Sequence, residues 1–259
     1  MLAPELLAAM ASGCWAVGAL FSANASNTMG AFAFTRWRLF FAMCMLWMAA
    51  FYVGRWPELT LENIAWLSVS SWVGILVGDT ALFVCMNRLG PRRSGVLFAT
   101  HALFSALFAW LFLGETLWGM TLMGSGVLVS GVMVAIVWGR RGEETHAWEN
   151  TQGTLWMGVA MGLLAAVGQA LATLMIKPLM STGIDAVAAS AVRATASFVA
   201  HLLLLWAGLG LAKLANPLDW KTLLNTALSA GISMVIGMTL ILQALKTGQA
   251  NLVAIFSSI

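Results

Sequence analysis

The sequence predicts an all-α integral membrane protein built from long apolar helices that cross a bilayer. Of its 259 residues, 61% are hydrophobic and only 9% are charged, with a mean hydropathy of +0.89. Soluble domains are about 45–50% apolar and about 25% charged. So few charges cannot cover a water-facing surface, which excludes soluble enzymes, nucleic-acid-binding proteins and disordered proteins. Charges and prolines also divide the chain into pieces of about 20 residues, the length of a membrane-spanning helix.

Nine apolar segments follow one another along the chain. In the first half the predicted spans cover residues 6–21, 30–53, 63–86, 94–113 and 117–137. A polar stretch, residues 139–150, precedes further spans at 154–176, 184–209 and 223–245 and a ninth that begins near Ala250. All five prolines fall at predicted ends or links, where a missing N–H does least harm: Pro4, Pro57, Pro91, Pro178 and Pro217.

The two halves of the chain are similar to each other. Ala-Val-Gly occurs at residues 16–18 and again at 166–168, and residues 87–98 match residues 245–256 at an offset of 158. A unit of five spans is odd in number, so the second copy enters the membrane from the opposite side, as in the inverted repeats of secondary transporters. We predict a first five-helix repeat over residues 1–138, a polar linker over 139–153 and an incomplete second repeat over 154–259. The expected whole is a ten-helix protein, so we expect this sequence to be truncated at its C-terminal end.

Three stretches resemble a known family. Residues 77–91, VGDTALFVCMNRLGP, resemble its third helix and following turn. Residues 98–118, which contain FAWLFLGETL at 108–117, resemble its fourth helix with a Leu-Gly-Glu signature. Residues 244–246 and 250–258 resemble its second repeat. The family is the EamA-type transporters of the drug/metabolite transporter superfamily. The resemblance implies ten helices in two inverted five-helix repeats and export of small metabolites, amino acids or drugs, although this chain lacks the second Leu-Gly-Glu and the last helix.

Ionisable side chains inside predicted spans are functional candidates, because burying a charge in a membrane is costly. Counted at 1.5 Å per residue, arginines of span 2, the aspartate of span 3 and the histidine of span 4 lie ~9–13 Å from one membrane face. One hypothesis is a cavity where Asp79 pairs with Arg38 or Arg36 and binds a carboxylate or amine or carries a proton. The alternative is a structural ion pair. The candidates for the solute or ion path are Arg36, Arg38, Asp79, His101, Gln169 and Arg193, and His201 is a further candidate in the second half.

The pattern favours a secondary transporter or exporter of a small organic solute in the bacterial inner membrane, working by alternating access. We expect no catalytic residues, metal site, cofactor or nucleic-acid partner; the partners are the bilayer and a small-molecule substrate, with proton coupling as one option. An intramembrane enzyme is an alternative because of Gly78-Asp79, but Leu76 stands where an aspartyl protease motif has glycine. A membrane scaffold that transports nothing is a second alternative.

Two further points are open at this stage. A GxxxG motif at residues 158–162 indicates close helix packing, either within the chain or in a homodimer, so both a monomer and a homodimer remain. The resemblance implies a cytoplasmic N-terminus, whereas the lysine and arginine count of the links places it outside by seven to three.

Overall fold

The computed structural model describes residues 2–53, 56, 59–114 and 154–258, with isolated positions between 119 and 134. Most of the predicted fifth span (117–137), Glu115 of the Leu-Gly-Glu signature and the polar linker lie outside the described residues. Throughout the described ranges the chain is helical and contains no strand. Seven helices there are long and apolar enough to cross a membrane. The protein is therefore a multi-pass membrane protein, as the composition predicted.

The helices in chain order are α1 (Pro4–Met29), α2 (Ala31–Val53), α3 (Leu61–Leu89), α4 (Pro91–Ala99), α5 (His101–Leu113), α6 (Leu155–Ser181), α7 (Ala186–Trp206), α8 (Trp220–Thr247) and α9 (Ala250–Ser257). The helices α4 and α5 form one span that is interrupted at Thr100. Eight of the nine predicted segments coincide with helices of the described residues, with several ends moved outward, and the fifth lies mostly outside those residues. The largest difference is in α1, which continues eight residues beyond Phe21.

The helix starts follow from local chemistry. Pro4 and Pro91 each stand in the first turn, where a helix needs no N–H. Asp185 caps α7 by accepting from two backbone N–H groups, and Asp219 caps α8 by accepting from Thr222 N. A hydrogen bond from the Thr222 side chain, together with the one from its backbone N–H, lowers the pKa of the exposed Asp219 carboxyl. One prediction was wrong: Pro178 lies inside α6 rather than in a link, because only the last turn follows it and few backbone hydrogen bonds are lost.

Two one-residue turns bring four helix ends to the same membrane side. Gly30 joins α1 to α2 with φ 82°, and Gly90 joins α3 to α4 with φ 81°. Each glycine N–H donates to a carbonyl four residues earlier at 2.9 Å. Only glycine adopts this backbone conformation without strain. We call this side the glycine-turn face, and the side where α1 begins and α8 ends the opposite face.

Both α3 and α8 contain an eight-residue π-helical segment. The segments cover Trp72–Asp79 and Ala230–Gly237, which are 158 residues apart, the same offset as the sequence match. Packing is crosswise: α1 lies against the π segment of α8, and α6 lies against that of α3. The contacts are close because Gly18 of α1 faces Ser233, and Gly168 of α6 faces the Val73 carbonyl. Helices α2 and α7 pack against each other beside these crossings.

The GxxxG motif of α6 packs within the chain. A Cβ added at Gly158 would lie 2.5 Å from Leu89 Cγ at the end of α3. A Cβ added at Gly162 would lie 2.9 Å from Leu97 of α4. These glycines therefore let α3 and α4 approach α6 closely. The motif thus serves packing within the chain, the first of the two roles that the sequence allowed.

Candidate functional site

A cavity of about 300 Å³ lies where the two crosswise contacts meet. Its wall is mostly apolar and aromatic, with Trp15, Phe83 and Phe98 among the larger side chains. A few polar groups converge on it from separate helices. This combination, and a volume at the lower end of about 300–1,000 Å³, is typical of sites for small molecules. Five of the six candidates line this cavity: Arg38, Asp79, His101, Gln169 and Arg193.

Arg38 of α2 and Asp79 of α3 form an ion pair in the wall. Arg38 Nη1 donates to Asp79 Oδ2 at 3.1 Å, with side-chain exposures of 7% and 16%. The guanidinium also stacks over Phe83, with 5.1 Å from Cζ to the ring centroid. Asp79 is the last residue of the π segment. Of the two arginines that depth alone allowed as its partner, the structure selects Arg38.

Arg193 of α7 is the second guanidinium of the cavity, and it is only 4% exposed. Arg193 is seven positions after the first residue of its helix, as Arg38 is seven positions after the first residue of α2. Its Nε is buried without a hydrogen-bond partner, and no described residue forms a hydrogen bond or ion pair with it. Asp79 attracts it through a Coulombic interaction without direct contact. Arg193 is therefore a buried cation whose head borders the cavity.

Gly74 makes room for the polar end of the cavity. A Cβ placed on Gly74 would lie 3.4 Å from Arg193 Nη2 and 3.8 Å from Gln169 Oε1, and 2.6 Å from the Ala172 side chain. The heads of Gln169 and Arg193 thus approach the same stretch of α3 backbone. A side chain at position 74 would clash with Ala172 and come into contact with both heads.

His101 borders the cavity with both ring nitrogens already partnered. It is the first residue after the break at Thr100, so its ring stacks on Phe98 with centroids 5.1 Å apart. Nδ1 lies 3.0 Å from the Phe98 carbonyl, which requires this nitrogen to carry the hydrogen. Nε2 lies 3.2 Å from Ser257 Oγ, whose hydroxyl also lies 3.0 Å from the Ala254 carbonyl. His101 therefore joins α4–α5 to α9.

Arg36 does not reach the cavity, which corrects its grouping with the other candidates. Its Nη1 donates to the Ala212 carbonyl at 2.7 Å, in the link between α7 and α8. Residues two apart on a helix do not face the same direction, so Arg36 and Arg38 share a depth but not a side. Depth was the only sequence signal used, and it cannot distinguish sides of a helix.

Sequence reasoning missed Trp15 and Ser233. The Trp15 Nε1 donates to the Ser233 carbonyl at 3.2 Å, and its indole meets the Phe98 ring edge-on at 6.3 Å. Trp15 stands in the middle of α1, away from the interfacial positions where tryptophan is usual. That position was an available signal. Ser233 lies in the second π segment, which no sequence pattern indicated.

The two ends of the cavity have different surroundings. Its lining reaches Pro91 and Gly95 at the glycine-turn face, and Gly95 is exposed. Toward the opposite face, Leu7, Met180 and Leu245 belong to a buried apolar cluster from α1, α6, α7, α8 and α9. The Lys177 ammonium also donates to the Leu245 carbonyl at 2.8 Å there. Among the described residues, no group of three His, Cys, Asp or Glu side chains could hold a metal ion.

Comparison with known proteins gives a family and a fold. The sequence model of the EamA-like transporter family matches residues 2–137, which is just over half of the chain. A crystal structure described only as "Crystal structure of protein" superimposes with a TM-score of 0.69, 18% identity and coverage of 98% of this chain and 83% of that chain. At that identity the likeness concerns the fold alone. No curated protein matches the sequence.

Proposed function

Because this chain belongs to the EamA-like transporter family, we propose that it is a secondary transporter that exports a small organic solute across the cytoplasmic membrane of a bacterium by alternating access. The observation that carries the proposal is the cavity: several polar groups from separate helices border it within a mostly apolar wall, it lies in the middle of the helices, and its lining reaches Pro91 and Gly95 at the glycine-turn face. A solute site near the midplane, between two halves, is the arrangement that alternating access requires.

The same proposal includes two inverted five-helix repeats. Three features support it. The π segments recur at an offset of 158, the buried arginines Arg38 and Arg193 occupy equivalent helix positions, and each first helix packs on the π segment of the other half. The cavity then lies on the pseudo-two-fold axis. Rocking one half against the other would open the opposite face and close the glycine-turn face.

Two alternatives fit the observations less well. An intramembrane aspartyl protease needs two carboxylates at its centre, whereas Asp79 is the one acidic residue among the described residues that line the cavity, and it is paired with Arg38. A non-transporting scaffold would have a dry, sealed contact between its halves. In this protein a cavity of about 300 Å³, bordered by several polar groups, lies between the two halves.

The proposal is tested by reagent access to the cavity from each membrane side. In a background with Cys14, Cys44 and Cys85 replaced, Thr173→Cys places a thiol in the cavity wall. We expect a membrane-impermeant maleimide to label it from the glycine-turn face and, more slowly, from the opposite face. The matched control is Thr226→Cys, which is fully buried outside the cavity and should stay unlabelled.

Labelling of position 173 from one side only, in proteoliposomes at every temperature up to unfolding, would contradict alternating access. Growth of strains that lack or overexpress the gene, across a panel of amino acids and toxic metabolites, supplies the second test. Resistance to one chemical class on overexpression supports export. Unchanged growth on the whole panel, together with one-sided labelling, would favour the scaffold.

A further inference from the structure

The charges of the cavity do not balance. Its lining contains two guanidinium groups, Arg38 and Arg193, and one carboxylate, Asp79. The carboxylate is committed to Arg38 at 3.1 Å. One positive charge is therefore left without a partner among the described residues, and it is the charge of Arg193.

Comparison of the two halves explains the imbalance. Asp79 ends the first π segment, and the residue that ends the second, 158 positions later, is Gly237. A Cβ on Gly237 would lie 2.9 Å from Trp15 Nε1, so the indole occupies the space that a carboxylate would need. The second half thus has the arginine of the first half without its acid.

A guanidinium in this position requires an acceptor. Arg193 is 4% exposed, and its Nε has no hydrogen-bond partner. Burying an unpaired charge is expensive, and a charge retained in a membrane helix is a candidate for a solute path. The space in front of the guanidinium is the cavity, so the missing acceptor is expected to come from the ligand.

We propose that the solute of this cavity is a small monoanion whose carboxylate binds Arg193. This inference rests on the proposed function and names its substrate class. The planar guanidinium presents two N–H groups that match the two oxygens of a carboxylate. Gln169 lies near the same part of α3, with its acceptor Oε1 on that side, so the carboxylate is held by the guanidinium of Arg193. The apolar body of the acid then lies against Trp15 and Phe98.

Ligands that carry a different net charge would balance the excess positive charge of the cavity less well. A single negative charge makes the loaded cavity neutral, whereas a zwitterionic amino acid leaves the excess positive charge in place. The ammonium of an amino acid would also compete with Arg38 for Asp79, whose Oδ2 is already bonded. A cation adds to the excess, and a neutral amide supplies no charge. The volume of about 300 Å³ restricts the ligand to small acids.

The test uses ligands that share one body and differ in head group. Purified protein is titrated with 3-phenylpropionate, 3-phenylpropionamide, phenylalanine and phenethylamine, with hexanoate and hexanamide as a linear pair, and thermal stabilisation gives each Kd. We expect both acids to bind at least about tenfold more tightly than their amides, amine or amino acid, the factor for a hydrogen bond to a charged group. Uptake of each ligand of the panel, in labelled form, into proteoliposomes is measured in parallel.

Variants assign the preference to Arg193. In Arg193→Gln the acid and its amide should bind equally, and Arg193→Lys should retain part of the preference. The control is Arg36→Gln: Arg36 is also buried but bonds to Ala212 outside the cavity. The Arg36→Gln substitution should lower the melting temperature of the protein and leave the order of ligand affinities unchanged.

The outcomes separate the two proposals. Tighter binding of phenylalanine than of 3-phenylpropionate, an acid preference that persists in Arg193→Gln, or no stabilisation by either acid would overturn the anion site. Uptake of phenylalanine but not of the acids would overturn it too, while supporting transport. If the acids bind in a way that depends on Arg193 but no ligand of the panel is taken up, the proposed transport is overturned. The anion-binding site at Arg193 then stands.

Discussion

Replacement of Asp79 by asparagine tests whether the Arg38–Asp79 pair stabilises the helix core. Removing one partner of a buried ion pair costs about 3–5 kcal/mol, since a charge is left uncompensated. Asp79 is 16% exposed to the cavity, which favours the lower limit, about 3 kcal/mol. Asparagine keeps an oxygen that can accept from Arg38 at a similar distance, and such a hydrogen bond restores about 1 kcal/mol. We therefore expect Asp79→Asn to lower the free energy of unfolding by about 2 kcal/mol.

A double-mutant cycle isolates the interaction from other effects of the substitutions. Unfolding of Asp79→Asn, Arg38→Gln and the double variant is followed by helical circular dichroism in mixed micelles. Because the two side chains are in direct contact, their effects should not add, and the coupling should exceed about 1 kcal/mol. Additive effects of the two substitutions would refute the reasoning. Transport by Asp79→Asn and Arg38→Ala that equals the native rate, at equal insertion, would place the pair outside the solute path.

Three further substitutions have expected effects on the thermal unfolding of the purified protein. Gly90→Ala forces an L residue into a backbone with φ 81°, so the free energy of unfolding should fall by about 1–3 kcal/mol. Gly95→Ala, with open space around the added methyl group, should leave the free energy of unfolding nearly unchanged. Equal losses in the two variants would contradict the turn assignment. Gly168→Ala puts a methyl group 2.9 Å from the Val73 carbonyl, so it should lower the free energy of unfolding by about 1–3 kcal/mol. Gly13→Ala, which has nothing within 4 Å of the added methyl group, should cause no loss. A Gly168→Ala variant as stable as the native protein would mean that α3 and α6 are further apart. Asp185→Ala removes the acceptor for two N–H groups of α7 and should cost about 1 kcal/mol, while Asp185→Asn retains most of the cap; an Asn variant as unstable as Ala would argue against capping.

Much of the architecture could be predicted because it depends on local composition. The apolar length of each span, the charged links and the helix-starting Pro4 and Pro91 are sequence properties, and α2, α6 and α7 begin within two residues of the predicted positions. Depth could also be predicted, since it follows from residue count along a helix. That is why Arg38, Asp79 and His101 were assigned to one level, and they do border one cavity.

The sequence by itself determined that this is a membrane protein of apolar helices, and which few polar side chains are buried within them. Only the tertiary structure decided which of those side chains meet. The helix α2 is apolar on nearly all sides, so nothing in its pattern shows that Arg38 turns toward Asp79 while Arg36 turns toward Ala212. The unpartnered state of Arg193 depends on Gly237 and Trp15, which lie on two other helices. Burial along a helix is a one-dimensional property, whereas pairing of charges depends on how the helices cross.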